Sequence, residues 1–193
     1  MRTSTATRQT KETHIHGLLN LDGSGVAKVS TGIGMLDHLI TALVAHARLD
    51  LELSCQGDLH VDDHHTVEDC ALVLGELLCG ALGDRAGMRR YGSAFAPLDE
   101  ALARSVVDLC TRPFASVRLG LQRETLGTLA TENLPHFLRS MAFAGRLTLH
   151  VDVLKGENDH HKAEAAFKSL ALALRGAIEL DPRGGGVSTK GVL

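Results

Sequence analysis

Aromatic side chains and surplus positive charge are both scarce in this sequence. Its 193 residues include no tryptophan, one tyrosine and five phenylalanines, and 20 basic residues stand against 23 acidic ones, for a net charge of −3. Proteins that bind single-stranded nucleic acid use aromatic side chains as stacking platforms, and general polyanion binders need an excess of cations. The composition therefore predicts no nucleic-acid partner.

Long apolar runs and paired cysteines are absent as well. No run reaches the ~18 residues that a membrane-spanning helix needs, and no apolar stretch of a secretory signal follows the N-terminal charges. Without a CxxC pair, the cysteines indicate neither a zinc ribbon nor a redox dithiol, and we interpret them as reduced core residues. These features predict a cytoplasmic protein without a membrane partner. The four cysteines are Cys55, Cys70, Cys79 and Cys110.

An internal repeat is the strongest feature that the sequence does contain. The segment DHHTVE at residues 63–68 recurs as DHHKAE at residues 159–164, an offset of 96 (160 − 64). Apolar residues follow each copy at the i, i+3, i+4, i+7 spacing of an amphipathic helix. In the first copy they are residues 67, 70, 71, 74, 77, 78 and 81, and in the second they are residues 163, 166, 167, 170, 173, 174 and 177.

Strand patterns precede each helix at nearly the same offset. Leu49, Leu51 and Leu53 alternate with polar residues, and Leu147, Leu149 and Val151 do so 98 residues later. Because the strand offset exceeds the helix offset by two, the first half has a strand-to-helix loop two residues longer, within residues 56–62. Further strands are predicted at Thr13–Leu19, Val26–Thr31, Ser105–Cys110 and Ala115–Leu119.

The repeat predicts an α+β fold of two duplicated halves, each ordered strand-strand-helix-strand-helix. Turns are expected at residues 23–25 and at Arg112-Pro113, and the joint between the halves near Gly83–Pro97. The Gly-rich tail Asp181–Leu193 is expected to be non-helical.

The repeated histidines and glutamates have the spacing of metal ligands. His64 and Glu68 are four residues apart on one helix face, whereas His65 is rotated by about 100° and points to a second metal or a neighbouring subunit. His160, His161 and Glu164 repeat this pattern, and His38 and His136, also 98 residues apart, are natural third ligands. Nitrogen-rich donors with carboxylate favour Mn, Fe, Co, Ni or Zn over Ca or Mg.

A single His-His pair is more often solvated or a helix cap, so the duplication is what favours the metal interpretation. The aspartates beside the pairs are open to two interpretations, helix caps or carboxylates that orient an imidazole. They are Asp62, Asp63, Asp69 and Asp159.

Several motifs together resemble the imidazoleglycerol-phosphate dehydratase family of histidine biosynthesis, from Arg8 to Leu193. They are RQTKET, TGIGMLDHLITALVAH, DHHTVED, PLDEAL, LPHF, GENDHHKAEAAFKSLA and STKG. Met35-Leu36 departs from the family pattern, where aromatic residues are expected, and this affects packing rather than ligation. Because no DxDxT-type phosphatase segment precedes the motifs, the chain resembles the single-function form.

The resemblance implies one domain over residues 1–193, made of two repeats at about 8–90 and 91–185 plus a C-terminal tail. Its fold would be ribosomal protein S5 domain 2-like, with helices sandwiched between two sheets. It further implies two Mn²⁺ ions per active site, with the sites built between subunits, and trimers that assemble into a 24-mer when metal is bound. One ion would take His64, Glu68 and His136, the other would take His38, His160 and Glu164, and His65 and His161 would complete opposite or neighbouring sites.

The implied reaction is the dehydration of D-erythro-imidazole glycerol phosphate to imidazole acetol phosphate by a hydro-lyase. Two metal-bound ring nitrogens would hold the imidazole as imidazolate, since metals lower ligand pKa values, and the ring could expel the hydroxyl through a diazafulvene-like intermediate. Acid–base groups must then serve the hydroxyl and the carbon-bound proton. Glu12 is the first candidate and also a substrate-binding one, His46 is another, and Asp99 and Glu100 are weaker. Glu68 and Glu164 would act in catalysis as metal ligands.

The substrate phosphate requires cations and hydrogen-bond donors. Residues that match basic or hydroxyl positions of the family pattern are Arg90, Arg112, Lys168, Ser188 and Lys190. The glycines at 184–186 would allow a close approach to an anion, although a flexible end explains them equally well.

Two other functions use the same residues. A metal-storage or metal-sensing oligomer would hold ions without chemistry, although a sensor is expected to carry a basic DNA-reading helix, which this weakly acidic chain lacks. A metal-dependent hydrolase would keep the metals and the anion-binding residues and use a metal-bound hydroxide as nucleophile.

Overall fold

Two four-stranded sheets of the same topology form the outer layers of the molecule. The computed structural model describes residues 2–183. The first sheet has the order β1-β2-β4-β3, in which only β3 and β4 pair in parallel. Its strands are β1 (Thr3–Gln9), β2 (Thr13–Asn20), β3 (Ala27–Ser30) and β4 (Asp50–Gly57).

The second sheet repeats this arrangement with the order β5-β6-β10-β7, in which only β7 and β10 pair in parallel. Its strands are β5 (Tyr91–Leu98), β6 (Ala101–Asp108), β7 (Phe114–Arg118) and β10 (Thr148–Lys155). A short hairpin of β8 (Thr125–Leu126) and β9 (Leu129–Ala130) lies between β7 and the next helix.

Four helices of the described chain form the layer between the sheets. They are α1 (Gly34–Ala47), α2 (His64–Leu82), α3 (Asn133–Ala144) and α4 (Asp159–Ile178). α1 and α2 pack on the first sheet, and α3 and α4 on the second. The two halves meet within this layer, where α2 contacts α3 and α1 contacts α4. The α+β class and the helices between two sheets confirm the predicted fold. None of the helices within residues 2–183 is long and apolar enough to span a bilayer.

Each half begins with one strand more than the sequence pattern predicts. The added strands are the edge strands β1 and β5, and β5 lies in the segment interpreted as a joint. Both consist mainly of small and polar residues, TSTATRQ and YGSAFAPL, and neither has a continuous buried face. An edge strand is held by one neighbour and needs no apolar stripe to pair, so periodicity does not reveal it.

The repeat itself is reproduced in detail. All fourteen apolar positions of the two copies are buried, so the helical spacing identified the core face of α2 and of α4. Five residues (58–62) separate β4 from Asp63, whereas three (156–158) separate β10 from Asp159. The loop after β4 is therefore two residues longer, as predicted.

Candidate metal centre

The first cluster, defined as His64, Glu68 and His136, lies where α2 meets α3. His64 and Glu68 are one turn apart at the start of α2, with His64 Nε2 3.8 Å from Glu68 Oε2. His136, in the first turns of α3, places its Nε2 3.2 Å from Glu68 Oε1. The two imidazoles stack with ring centroids 4.9 Å apart.

The second cluster, defined as His38, His160 and Glu164, has the same geometry where α4 meets α1. Glu164 Oε2 lies 3.3 Å from His160 Nε2 and 2.9 Å from His38 Nε2. The rings of His38 and His160 stack with centroids 5.5 Å apart. Each cluster thus takes a histidine and a glutamate from one half and a histidine from the other, so neither half holds a complete set.

Both clusters fit a divalent cation. In each, one potential ligand atom per residue can be chosen so that all lie within 4.8 Å of one another. Two imidazole nitrogens and a carboxylate suit a borderline divalent metal. In addition, His136 Nε2 is buried and has no hydrogen-bond partner in the described chain. Buried polar atoms are nearly always satisfied, and an ion at the first cluster would satisfy this one.

Lys168 distinguishes the second cluster electrostatically. Its Nζ lies 2.6 Å from Glu164 Oε1, one turn further along α4. Burial raises the pKa of Glu164, but hydrogen bonds from Lys168 and His38 outweigh it and bring the pKa to about 2. The carboxylate is therefore charged at neutral pH, as a metal ligand must be. The structure thus brings Lys168, a predicted phosphate ligand, to the metal cluster.

His65 and His161 point away from the clusters, each towards a separate carboxylate. Their rings are nearly perpendicular to those of the preceding histidines, at 82° in both halves. Asp58 lies 3.0 Å from Nδ1 of His65, and Glu100 lies 2.7 Å from Nδ1 of His161. These hydrogen bonds raise the pKa of both histidines. They also leave each Nε2 directed outwards.

Glu12 lies beside His65 at the turn between β1 and β2. Its Oε1 is 3.7 Å from His65 Nε2, and within residues 2–183 its carboxylate accepts no hydrogen bond. A hydroxyl relay fixes its backbone, because Glu12 N donates to Thr10 Oγ1, which contacts the Thr13 hydroxyl. Thr13 Oγ1 in turn donates to the buried carboxylate of Asp69. The structure thus holds the backbone of Glu12 in place, while its carboxylate has a contact with His65 and no hydrogen bond among the described residues.

The corresponding turn in the second half uses its acid differently. Glu100 accepts hydrogen bonds from His161 and from the backbone N–H groups of Asn158 and Glu157, and these lower its pKa to about 2. Asp99, also at this turn, is 3.9 Å from His161 Nε2. Glu100 is therefore committed to holding His161 and the start of α4, unlike Glu12.

Other predicted site residues lie elsewhere. His46 is in the last turn of α1, eight residues and about 12 Å along the helix from His38. Arg90 pairs with Asp108 at 2.7 Å, and Arg112 lies in the loop before β7. The structure brings none of the three to a cluster. Ser188 and Lys190 lie outside the described residues, as do the glycines at 184–186.

Asp63 and Asp159, the aspartates directly before the histidine pairs, are not side-chain helix caps. Asp63 makes no capping hydrogen bond and instead accepts from Ala130 N at 2.7 Å and Asn133 Nδ2 at 3.0 Å. Asp159 accepts from the backbone of Gln122 and from Lys162. Both tie a metal-cluster helix to a neighbouring loop. Asp62 accepts from His64 N at 2.9 Å.

Sequence reasoning missed two polar residues that support the histidines, Asp58 and Asn133. Asp58 is in the loop that is two residues longer in the first half, and this difference was the available signal. Asn133 is one turn before His136, and its Oδ1 lies 3.1 Å from His64 Nδ1. Its contact joins helices from different halves, which no local pattern reports.

The chain is similar in sequence and in fold to known proteins of one family. The model of the family described as imidazoleglycerol-phosphate dehydratase matches residues 31–174. A protein of that name from Candida glabrata is 51% identical over 204 aligned residues, which cover 96% of this chain and 97% of the relative. Another of that name, from Phytophthora nicotianae, is 56% identical over 193 residues, although the chain spans only 43% of that relative. The crystal structure of imidazoleglycerol-phosphate dehydratase from Staphylococcus aureus is 35% identical, with a TM-score of 0.84 over 93% of this chain and 99% of that one.

Proposed function

The chain belongs to the imidazoleglycerol-phosphate dehydratase family, and we propose that it catalyses the reaction for which the family is named. As a hydro-lyase it would convert D-erythro-imidazole glycerol phosphate to imidazole acetol phosphate in histidine biosynthesis. The observation that carries this proposal is the pair of matched clusters, each with two imidazoles and a carboxylate whose ligand atoms lie within 4.8 Å of one another. A substrate with an imidazole ring has two nitrogens, and two cations would engage both.

Two Mn²⁺ ions per active site are the cofactors that we propose. The first cluster would hold one ion and the second cluster the other, with His65 and His161 completing sites through their outward Nε2 atoms. When bound, the two cations would hold the substrate ring as imidazolate, because coordination lowers the pKa of a ligand.

Glu12 is the group that we assign to proton transfer at the substrate carbon and hydroxyl. General acid–base catalysis requires a carboxylate that reaches the substrate and is not consumed by other partners. Glu12 meets this condition, because its side chain is 51% exposed and its backbone is fixed by Thr10. Glu100 does not, since three hydrogen bonds already occupy it. His46 remains a second candidate only if another copy of the chain brings it to a cluster.

The phosphate would bind to Lys168, Arg90 and Arg112, and their positions support a site shared between copies. Arg90 precedes β5, and Asp99 and Glu100 follow it, so the strand's eight residues, about 26 Å in length, separate them. Arg90 and Arg112 lie at one end of the second sheet and His161 at the opposite end. A small phosphorylated imidazole is far shorter than this strand, so one copy alone cannot supply all the contacts.

We therefore propose assembly into trimers and, with metal, a 24-mer. The outer face of the second sheet favours association, because it exposes large apolar side chains. Tyr91 is 57% exposed, Phe95 59% and Phe114 52%. Assembly would depend on metal if the ions bridge copies, so mass measurement with and without a chelator tests this part. A cytoplasmic location is consistent with the cysteines, three of which are buried core thiols.

The activity is tested by ultraviolet absorbance with imidazole glycerol phosphate as substrate. Metal-free protein reloaded with Mn²⁺ should form the enol or ketone product, and chelator-treated protein should not. Absence of product from fully metal-loaded protein would contradict the dehydratase proposal. Elemental analysis of the same samples gives the number of ions per chain, for which we expect two.

A further inference from the structure

Asn133 contacts a histidine of the first cluster through a hydrogen bond whose direction the surroundings determine. Its side chain is buried, with the residue 3% exposed. Asn133 Nδ2 donates to Asp63 Oδ1 at 3.0 Å, so its amide oxygen faces His64 Nδ1 at 3.1 Å. An amide oxygen only accepts, and the ring nitrogen that it faces must carry the proton. The unprotonated nitrogen of neutral His64 is therefore Nε2, the atom that faces Glu68.

Asp63 makes this arrangement rigid. Its second carboxylate oxygen accepts from Ala130 N at 2.7 Å, just before α3 begins. The chain of contacts from Ala130 through Asp63 and Asn133 to His64 joins α2 and α3, the two helices that supply the first cluster. An amide flip of Asn133 would place its NH₂ group against His64 and its oxygen against a carboxylate, which this network disfavours.

The second cluster lacks the corresponding amide. Applying the offset of 98 that relates His136 to His38, the position of Asn133 corresponds to Met35 (133 − 98). A thioether is only a weak acceptor. Within residues 2–183, Nδ1 of His160 makes no hydrogen bond, and the ring contacts its neighbours through stacking on His38 and the ion pair with Glu164. The two clusters thus have the same candidate ligands, but among the described residues only His64, and not His160, has a side chain that fixes its second ring nitrogen.

We propose that Asn133 is a positioning residue, which holds His64 in the tautomer that presents Nε2 to the metal and makes the first cluster the tighter of two unequal Mn²⁺ sites. The inference rests on the proposed function, because it takes both clusters to bind metal. Groups that fix the second nitrogen of a metal-bound histidine typically contribute 10–100-fold in metal affinity. A difference of that order is expected between the clusters.

The test measures Mn²⁺ affinity by electron paramagnetic resonance on the full-length chain, one cluster at a time. Glu164→Ala leaves the first cluster intact, and Glu68→Ala leaves the second. In the Glu164→Ala background, Asn133→Leu should weaken Mn²⁺ binding roughly 10–100-fold. In the Glu68→Ala background the same substitution should change nothing, because Asn133 does not contact the second cluster. The proposal is overturned if Asn133→Leu weakens Mn²⁺ binding equally in both backgrounds, or if it weakens Mn²⁺ binding in neither of them.

A reciprocal variant protects the test against simple loss of folding. Met35→Asn in the Glu68→Ala background would supply the missing acceptor to His160, and Mn²⁺ should bind more tightly to the second cluster. Unfolding cannot mimic a gain of affinity, and an unchanged or weakened site would count against the positioning role. If the unaltered chain binds no Mn²⁺ at all, the proposed function fails; if it binds two ions and neither variant changes its affinity as stated, only this inference fails.

Discussion

The two clusters are copies of one another in their ligands and differ in what surrounds them. In the first, Glu68 is 37% exposed, and in the second, Glu164 is 13% exposed and paired with Lys168. The residue that corresponds to Lys168 in the first half is Leu72 (168 − 96). The first cluster instead has Asn133 against His64, where the second cluster has Met35 at the corresponding position.

This difference shows how a duplicated site can acquire two roles. The proposed coordination chemistry requires the same ligands in both copies, His, His and Glu. The side chains around them are not constrained in this way, and here one cluster has an amide against a histidine while the other has an ammonium group. If both clusters bind metal as proposed, the first would hold its ion more firmly, and the second would hold an ion next to an anionic substrate group.

The largest effect should come from removing a charged ligand. Glu164→Gln should lower the metal content of the second cluster and abolish turnover, because a neutral amide replaces the carboxylate that both histidines face. Glu68→Gln should do the same at the first cluster, since the proposed mechanism requires two cations. Metal content by elemental analysis and product formation by absorbance check both variants.

The same two glutamine variants also show whether the clusters are equivalent. If either glutamine variant retains full metal stoichiometry, its glutamate is not a ligand and the clusters are not equivalent in kind. A matched control is Glu76→Gln, also on α2 but three turns away from His64. That substitution should leave metal content and turnover unchanged.

Arg112, which the structure does not bring to either cluster, should affect substrate binding without affecting the metal content. Arg112→Ala should raise KM by roughly 10–100-fold, because a hydrogen bond between charged groups contributes about 1.5–3 kcal/mol. Since a phosphate contact acts on the ground and transition states alike, kcat should stay unchanged. Steady-state kinetics give both constants. Arg118→Ala, at an 81% exposed arginine, is the control, and a fall in kcat at constant KM for Arg112→Ala would rule out the assigned role.

Helix spacing offers a way to disturb one cluster and spare the other. A Cβ on Gly75 of α2 would lie 2.5 Å from the backbone oxygen of Met141 in α3, so Gly75→Ala should force these helices apart. We expect a loss of about 1–3 kcal/mol in the free energy of unfolding. Chemical denaturation of metal-free protein measures this loss.

The same substitution should weaken Mn²⁺ binding at the first cluster only, because α1 and α4 are not displaced. The corresponding residue of α4 is Ala171 (75 + 96). Ala171→Gly is the control, with a cost of about 1 kcal/mol from helix propensity and no clash. Unchanged first-cluster affinity in Gly75→Ala would mean that the distance between α2 and α3 does not set the ligand geometry.

Sequence reasoning recovered the parts of this molecule that depend on periodicity and repetition. The buried faces of α2 and α4, the longer loop after β4 and the grouping of His64 with Glu68 all follow from spacing along one element. The structure also brings His136 to His64 and Glu68, and His38 to His160 and Glu164, while their role as metal ligands stays a prediction. That grouping relied on family resemblance, because spacing alone does not show which helices meet.

What escaped prediction depends on contacts between distant segments. β1 and β5 pair through their backbones, and their side chains carry no pattern that requires it. Asn133 reaches His64 from another helix, and Arg90 is bound to Asp108 across two strands. Basic residues such as Arg90 and Lys168 look alike in a sequence, yet one lies far from the clusters and the other contacts Glu164.

The smallest expected effect comes from the ammonium group of Lys168, which contacts the second cluster and has no counterpart at the first. Lys168→Met removes the ammonium group 2.6 Å from Glu164, so a cation at the second cluster no longer faces a like charge. Mn²⁺ affinity there should rise by about fivefold, because a partly screened charge pair is worth about 1 kcal/mol. Substrate affinity should fall if Lys168 binds the phosphate, and these opposite changes separate an electrostatic role from a structural one.

Leu72→Lys is the reciprocal change, which should place an ammonium group near Glu68 and weaken Mn²⁺ binding at the first cluster by a similar factor. If both variants leave Mn²⁺ affinity unchanged, the contrast between the clusters does not arise from this charge, and Asn133 alone must account for it.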